Sequence, residues 1–182
     1  VWFTDELKQL QAMVDAKLPG RVNVLSCAPC VNPELVLVNS FADNFPGETL
    51  LYRVKTNQWE RVGVRRPDLD GVPAGTLDLH RIKARDGQGL PVWVTLPANM
   101  GNKPRPAVVM VHGGPHLRGT QWAWDADAQF LASRGYVVIE PEFRGSTGYG
   151  AAHLRAGWKQ WGRSMQDDVA DAVQWAAGKG LV

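Results

Sequence analysis

Long apolar runs are missing from these 182 residues, and no stretch approaches the roughly 18 residues that a membrane-spanning helix needs. Charge of one sign is missing too. The 20 basic and 18 acidic residues are spread along the chain and leave a net charge of +2. A nucleic-acid partner calls for a basic stripe with aromatics placed for stacking, and only Arg61, Arg65 and Arg66 cluster, in what reads as a solvated loop. Neither a membrane nor a nucleic acid is therefore expected as a partner. Cysteine is scarce: Cys27 and Cys30 are the only two. Their Cys-Ala-Pro-Cys spacing is that of a thioredoxin-type motif, which normally opens a helix. Here Val31-Asn32-Pro33 follows, so a plain turn is expected, and two cysteines fall short of the four ligands of structural zinc. No cofactor is expected. A signal peptide is also lacking, but the first residue is Val1 rather than Met, so the start of the protein is expected to lie upstream. The compartment stays open between cytoplasm and periplasm.

What is present is a globular composition, 45% hydrophobic and 9% aromatic, enough for a real core. Thr4 can cap a helix over 4–18, with Asp5 and Glu6 in its first turn and Leu7, Leu10, Val14 and Leu18 on one face. Pro19-Gly20 ends it. Then the period shortens. The runs 21–26, 35–40, 49–55 and 59–64 are separated by Ala28-Pro29, Asn44-Phe45-Pro46-Gly47 and Thr56-Asn57, which predicts an antiparallel meander the size of one propeller blade. The stretch 65–74, Arg-Arg-Pro-Asp-Leu-Asp-Gly-Val-Pro-Ala, reads as a linker. A boundary near residue 72 follows.

Beyond it, 76–84 and 91–96 form a hairpin across Asp86-Gly87-Gln88-Gly89. A buried strand is expected at 107–111, a short helix at 124–133, a second buried strand at 136–140 and an amphipathic helix at 164–178. On that last helix Asp167, Asp168 and Asp171 read as residues favoured by the positive N-terminal half. Strand–helix alternation of this length calls for a parallel sheet with right-handed crossovers. The sheet is expected to continue past Val182.

Chemistry concentrates at Ala107-Val108-Val109-Met110-Val111-His112-Gly113-Gly114-Pro115. Five apolar residues run into two glycines, which let the backbone turn sharply and leave N–H groups uncovered by side chains. Loops of this kind, between a central strand and a helix, supply an oxyanion-hole N–H in α/β-hydrolases. An ordinary glycine-rich turn remains the alternative on these residues alone.

In order along the chain stand His112-Gly113-Gly114-Pro115, Trp122-x-Trp124-Asp125, Arg144-Gly145-Ser146-Thr147-Gly148-Tyr149-Gly150, Trp161-Gly162, and Gln166-Asp167-Asp168-Val169-x-Asp171-Ala172-x-x-Trp175. Arg66-Pro67-x-Leu69 and Ala84-Arg85-Asp86-Gly87 precede them. This ordered set resembles the prolyl oligopeptidase family of serine peptidases, in its acylaminoacyl-peptidase and dipeptidyl-peptidase-like branch. The resemblance covers residues from about 45 to 182 well and the rest loosely. It implies that residues 1–72 are the C-terminal part of a β-propeller and 73–182 the N-terminal part of an α/β-hydrolase domain. It implies short peptides as substrates, cleaved through an acyl-enzyme by a Ser-Asp-His triad. It also makes the remainder of the catalytic domain a partner and leaves a homo-oligomer open.

None of Ser26, Ser40, Ser133, Ser146 and Ser164 has glycine on both sides at two residues' distance, so the Gly-x-Ser-x-Gly elbow is not in this sequence. The triad is expected beyond Val182, and the chain alone is expected to be inactive. What the resemblance leaves here is the oxyanion-hole loop: Gly114 as N–H donor, Gly113 shaping the turn, and His112 where relatives carry a Tyr. His112 reads either as a hydrogen-bond donor near the site or as a brace for the loop, with the brace preferred. Arg144 reads as a pin for the glycine-rich loop, and His116 and His153 as loop or surface residues. Trp122, Trp124, Trp158, Trp161 and Trp175 read as packing the core and the domain interface rather than stacking on a ligand. Two other readings compete: a carboxylesterase-like hydrolase sharing the His-Gly-Gly loop, and a non-catalytic interaction module.

Overall fold

The computed structural model describes Trp2 and residues 4–182. Val1, on which the expectation of an upstream start rests, lies outside the described residues. The chain divides into two compact units, Val1–Val72 and Pro73–Val182.

The first unit is a helix on a sheet. Thr4 caps α1 (Asp5–Lys17) by accepting from the Leu7 N–H, and Asp5 and Glu6 sit in the first turn. Strands β1 (Val22–Cys27), β2 (Leu35–Ala42), β3 (Phe45–Arg53) and β4 (Gln58–Val64) pair as an antiparallel meander in chain order. Strand alternation sends Leu25, Val36, Val38, Leu50 and Tyr52 to the face that Val14 of α1 covers. On the other face Val22, Val24, Leu35 and Leu37 are exposed.

Three expectations are corrected in this unit. Asn44-Phe45-Pro46-Gly47 is not a separator, because β3 starts at Phe45 and the turn tightens to Asp43-Asn44 with a bulge between Ser40 and Ala42. Arg61 is not in a loop but on β4, where it pairs with the buried Glu48 at 3.0 Å. The turn at 27–30 is more than a pair of small residues between two thiols: Cys27 and Cys30 are joined as a disulfide, and the Ala28–Pro29 bond is cis.

The second unit is α/β. Its sheet runs β5 (Thr76–Lys83), β6 (Gly89–Leu96), β8 (Val137–Pro141), β7 (Ala107–Val109). The β5–β6 hairpin and the β6–β8 pair are antiparallel, and only β7–β8 is parallel. The sheet is thus mixed among the described residues, not the parallel one that alternation suggested. Val92, Val94, Val137 and Ile139 form one face and pack against Ala172 and Ala176 of α4 (Ser164–Gly178). Gln129 of α2 (Ala126–Ser133) clasps both backbone groups of Gly75, at 2.8 and 3.0 Å, and so ties α2 to the segment that leads into β5.

Strand β7 is shorter than its five apolar residues suggested. It is half-buried rather than buried on both faces, because among the described residues it pairs on one side only. The Met110 N–H still reaches Ile139 O at 2.9 Å, and then the chain leaves the sheet. Helix α3 (Ala151–Ala156) was not expected; six residues are too few to show a helical period.

Candidate active site

The His112–Pro115 loop leaves the C-terminal end of β7, the end of the sheet where open α/β folds place their ligands. Gly114 adopts φ +119°, and a Cβ there would lie 2.8 Å from Leu117 Cγ. Glycine is required on both counts. The Gly114–Pro115 bond is cis. Gly113 and Gly114 are exposed, and among the described residues no acceptor meets the Gly114 N–H. A neighbouring cavity of about 360 Å³ is lined by Gly114, Pro115, Phe143, Trp161, Met165 and Val169. Its wall is largely apolar, and it opens to solvent beside the exposed Gly114.

His112 faces its own loop. Its Nδ1 lies 2.9 Å from Gly113 O and its Nε2 2.9 Å from Ser146 Oγ, while the ring stacks on Phe143 at 4.5 Å. Both ring nitrogens are taken by the protein. The geometry is that of a brace between this loop and the glycine-rich loop. Gly119 completes the fit, since a Cβ there would fall 2.4 Å from His112 Cδ2.

The glycine-rich loop 144–150 is held from below. The Arg144 guanidinium donates two bonds to Asp168 (2.8 and 2.7 Å) and two to Asp86 (2.7 and 3.0 Å). The Arg144 backbone N–H adds a 2.8 Å bond to Asp168. Arg144 is buried and Asp168 is fully so. The planar fork of Arg satisfies two carboxylates at once, which Lys could not. The guanidinium holds the Asp86 carboxyl down to about 2. Asp171 is also an anchor, bonded to Arg85 through the Arg85 backbone N–H and Nε, each at 2.8 Å. The acidic residues of α4 are therefore partners of distant arginines before they are charges on a helix dipole.

Further expectations change here. His153 is buried in α3 and lies 3.1 and 3.0 Å from the carbonyls of Glu142 and Phe143, so it is not a surface residue. His116 reaches Gly145 O at 3.0 Å. Trp175 packs on the core and lies 4.9 Å from the His80 ring, and Trp122 and Trp124 are half-buried. Trp158 and Trp161 are 58% and 69% exposed, so they pack no core among the described residues.

Two glutamates were missed from sequence. Glu142 is completely buried and accepts from the backbone N–H groups of Gly119 (3.2 Å) and Thr120 (2.6 Å). Glu140 accepts from the Thr120 hydroxyl at 2.9 Å, and its Oε2 is buried without a partner among the described residues. Burial pushes the Glu140 carboxyl up to about 7, with Asp125 and Glu142 adding repulsion. The available signal was a Glu-x-Glu at the end of an apolar strand, where alternation alone would send both side chains to one face.

Residues 122–182 match the prolyl oligopeptidase family. The chain is 42% identical over 123 residues to dipeptidyl aminopeptidase BIII of Pseudoxanthomonas mexicana, covering 64% of this chain and 18% of that protein. It is 30% identical over 196 residues to dipeptidyl peptidase family member 6 of Caenorhabditis elegans, covering 96% and 26%. A puromycin-hydrolyzing peptidase of Mycobacterium tuberculosis superposes with a TM-score of 0.67 at 26% identity, over 82% of this chain and 24% of that one. An acylaminoacyl peptidase of Pyrococcus horikoshii, at 19% identity and a TM-score of 0.62 over 82% and 24%, shares the fold. The chain belongs to the prolyl oligopeptidase family. It spans between 18% and 26% of the length of these curated relatives.

Proposed function

We propose that this chain supplies the oxyanion-hole loop of a serine-type peptidase that hydrolyses short peptides through an acyl-enzyme. Residues 1–72 are the C-terminal part of its β-propeller, and 73–182 begin its α/β-hydrolase domain. The nucleophile, its acid and its histidine come from sequence outside these residues, as does the second oxyanion donor, so the chain alone is inactive. One observation carries the reading: an exposed glycine N–H without a partner among the described residues, at the C-terminal end of a sheet strand, beside a largely apolar cavity. The peptidase names of the relatives support the substrate class.

In this mechanism a serine attacks the scissile carbonyl, and negative charge develops on its oxygen. The Gly114 N–H donates to that oxygen more strongly in the transition state than in the ground state, which is what lowers the barrier. Such a donor contributes about 3–4 kcal/mol. His112 and Gly113 hold the turn. The test is Gly114→Ala in the peptidase expressed from its full gene. The positive φ and the contact with Leu117 force the loop to move. We expect kcat/KM to fall by about 10²- to 10³-fold; the strain at the positive φ also costs about 1–3 kcal/mol of stability, so the rate is read per site titrated with a fluorophosphonate. An unchanged kcat/KM removes Gly114 from the oxyanion hole.

A further inference from the structure

The loop that carries Gly114 is stitched along its whole length to the segment that follows β8. His112 bonds Ser146, His116 bonds Gly145 O, and the Thr147 N–H donates to Leu117 O at 3.0 Å. Then Gly119 and Thr120 donate to Glu142, and the Thr120 hydroxyl to Glu140. Most of these links end on uncharged groups, of which Ser146 is fully buried. Glu142 differs: it is fully buried, and no Lys or Arg is paired with it among the described residues. The nearest group able to take a positive charge is the His112 ring, with Nε2 3.6 Å from Oε2. A carboxylate without a cation partner is costly to bury. Here the two backbone N–H groups of the loop compensate it, so the carboxylate and the loop depend on each other.

We propose that Glu142 is a positioning residue for the oxyanion donor, fixing the 112–120 loop so that Gly114 meets the reacting carbonyl oxygen. The inference rests on the oxyanion reading of Gly114. It does not place Glu142 against the substrate. Glu142 acts at both ends of the loop: through Gly119 and Thr120 at the far end, and beside His112 at the near end. A carboxylate can accept from two N–H groups with two equivalent oxygens. An amide keeps one acceptor and turns an NH₂ donor toward the other N–H. Glu142→Gln therefore opens one stitch while preserving size.

The experiment compares wild type, Glu142→Gln, Glu142→Asp and Gly114→Ala in the full-length peptidase. Rates are expressed per site titrated to completion with a fluorophosphonate, so a misfolded fraction drops out. Displacing the donor by a fraction of an ångström should cut kcat about 10- to 100-fold, since a 1 Å misplacement can cost about 10²-fold. KM should stay within about twofold, because the lost interaction belongs to the transition state. Affinity for a peptidyl trifluoromethyl ketone, whose adduct carries an oxyanion, should fall in parallel with kcat. Glu142→Asp keeps both acceptors on a shorter stem and should recover part of the loss. A purely structural Glu142 would lower the melting temperature and the titratable fraction while leaving kcat per site at the wild-type value, and that outcome overturns the proposal. Loss in Gly114→Ala with none in Glu142→Gln overturns the positioning role but keeps the oxyanion reading. Full activity in Gly114→Ala removes the oxyanion reading itself, and the positioning role with it.

Discussion

Two carboxylate pairs flank Phe143 and are built on opposite principles. On one side Asp86 and Asp168 share the Arg144 guanidinium, and Asp168 also takes the Arg144 backbone N–H. On the other side Glu140 and Glu142 share only Thr120, through its hydroxyl and its backbone N–H, with the Gly119 N–H added on Glu142. The aspartates are neutralised by a cation that never titrates in the working range. The glutamates are held by dipoles, and one Glu140 oxygen has no partner among the described residues. The Asp86 carboxyl accordingly sits at about 2, and the Glu140 carboxyl at about 7. The first pair is suited to fixing scaffold to scaffold at any physiological pH. The second is a loop support whose strength depends on the charge it carries.

The sharpest way to break this contrast is to remove the cation. Arg144→Met leaves Asp168 fully buried with no counter-charge. Breaking a buried pair on one side costs about 3–5 kcal/mol, and Asp86 loses its partner as well. Equilibrium denaturation of the peptidase should show a loss of that size. The double variant Arg144→Met with Asp168→Leu should recover much of it, because the uncompensated charge is then gone. A loss under about 1 kcal/mol in the single variant would put Arg144 among ordinary surface pairs.

That network also marks how far the sequence could be read. The elements it anchors were legible: α4 from its apolar period and the β5–β6 hairpin from Asp86-Gly87; in the first unit α1 was legible in the same way, from Thr4 and its acidic first turn. Each signal is local, carried within a few residues of the element it specifies. The turn at Gly113-Gly114 was legible for the same reason. The roles of Asp168 and Asp171 were not legible, because their partners, Arg144 and Arg85, stand 24 and 86 residues away. A local reading has only the helix dipole to offer such a charge. Glu142 went unseen because a glutamate beside Pro141 at a strand end looks like a solvated terminus, and only the returning 119–120 backbone makes it buried. The burial of His153 escaped because α3 is too short to show a face. The mixed sheet was missed because alternation of strands and helices does not reveal that the hairpin strand β6 inserts beside β8.

The glutamate side of the contrast is tested by pH. The Glu140 carboxyl rises from its ordinary 4.5 to about 7 in the folded chain, chiefly through burial, with Asp125 and Glu142 also raising it and the Thr120 hydroxyl opposing. The folded state then holds its proton more firmly than the unfolded state. That stabilisation is fully present below about pH 4.5 and is lost as pH rises through 7. The loss is no more than about 3–4 kcal/mol, since each tenfold gain in proton affinity is worth about 1.4 kcal/mol. Glu140→Gln carries no titrating group and keeps an acceptor for Thr120. Its stability relative to wild type should climb between pH 5 and about 7.5. Parallel stability curves for the two proteins would mean that Glu140 is as well solvated as a surface carboxylate.

The smallest effect should come from Asp86, the exposed member of the neutralised pair, whose side chain keeps 47% of its exposure. Asp86→Asn leaves the bidentate Arg144–Asp168 contact intact, so the cost at neutral pH should stay under about 1 kcal/mol and shrink further in salt. Its acid limb carries the opposite sign from Glu140. The carboxyl is depressed, so its contribution is present above the ordinary 3.8 and is lost as pH falls toward 2. Wild type and Asp86→Asn should therefore converge as pH falls through about 2, whereas wild type and Glu140→Gln separate on the neutral side. If Asp86→Asn instead costs as much as Arg144→Met, the guanidinium is held as one unit by both aspartates. The contrast then lies between a three-membered clamp and a two-membered loop support, rather than between a buried pair and its exposed neighbour.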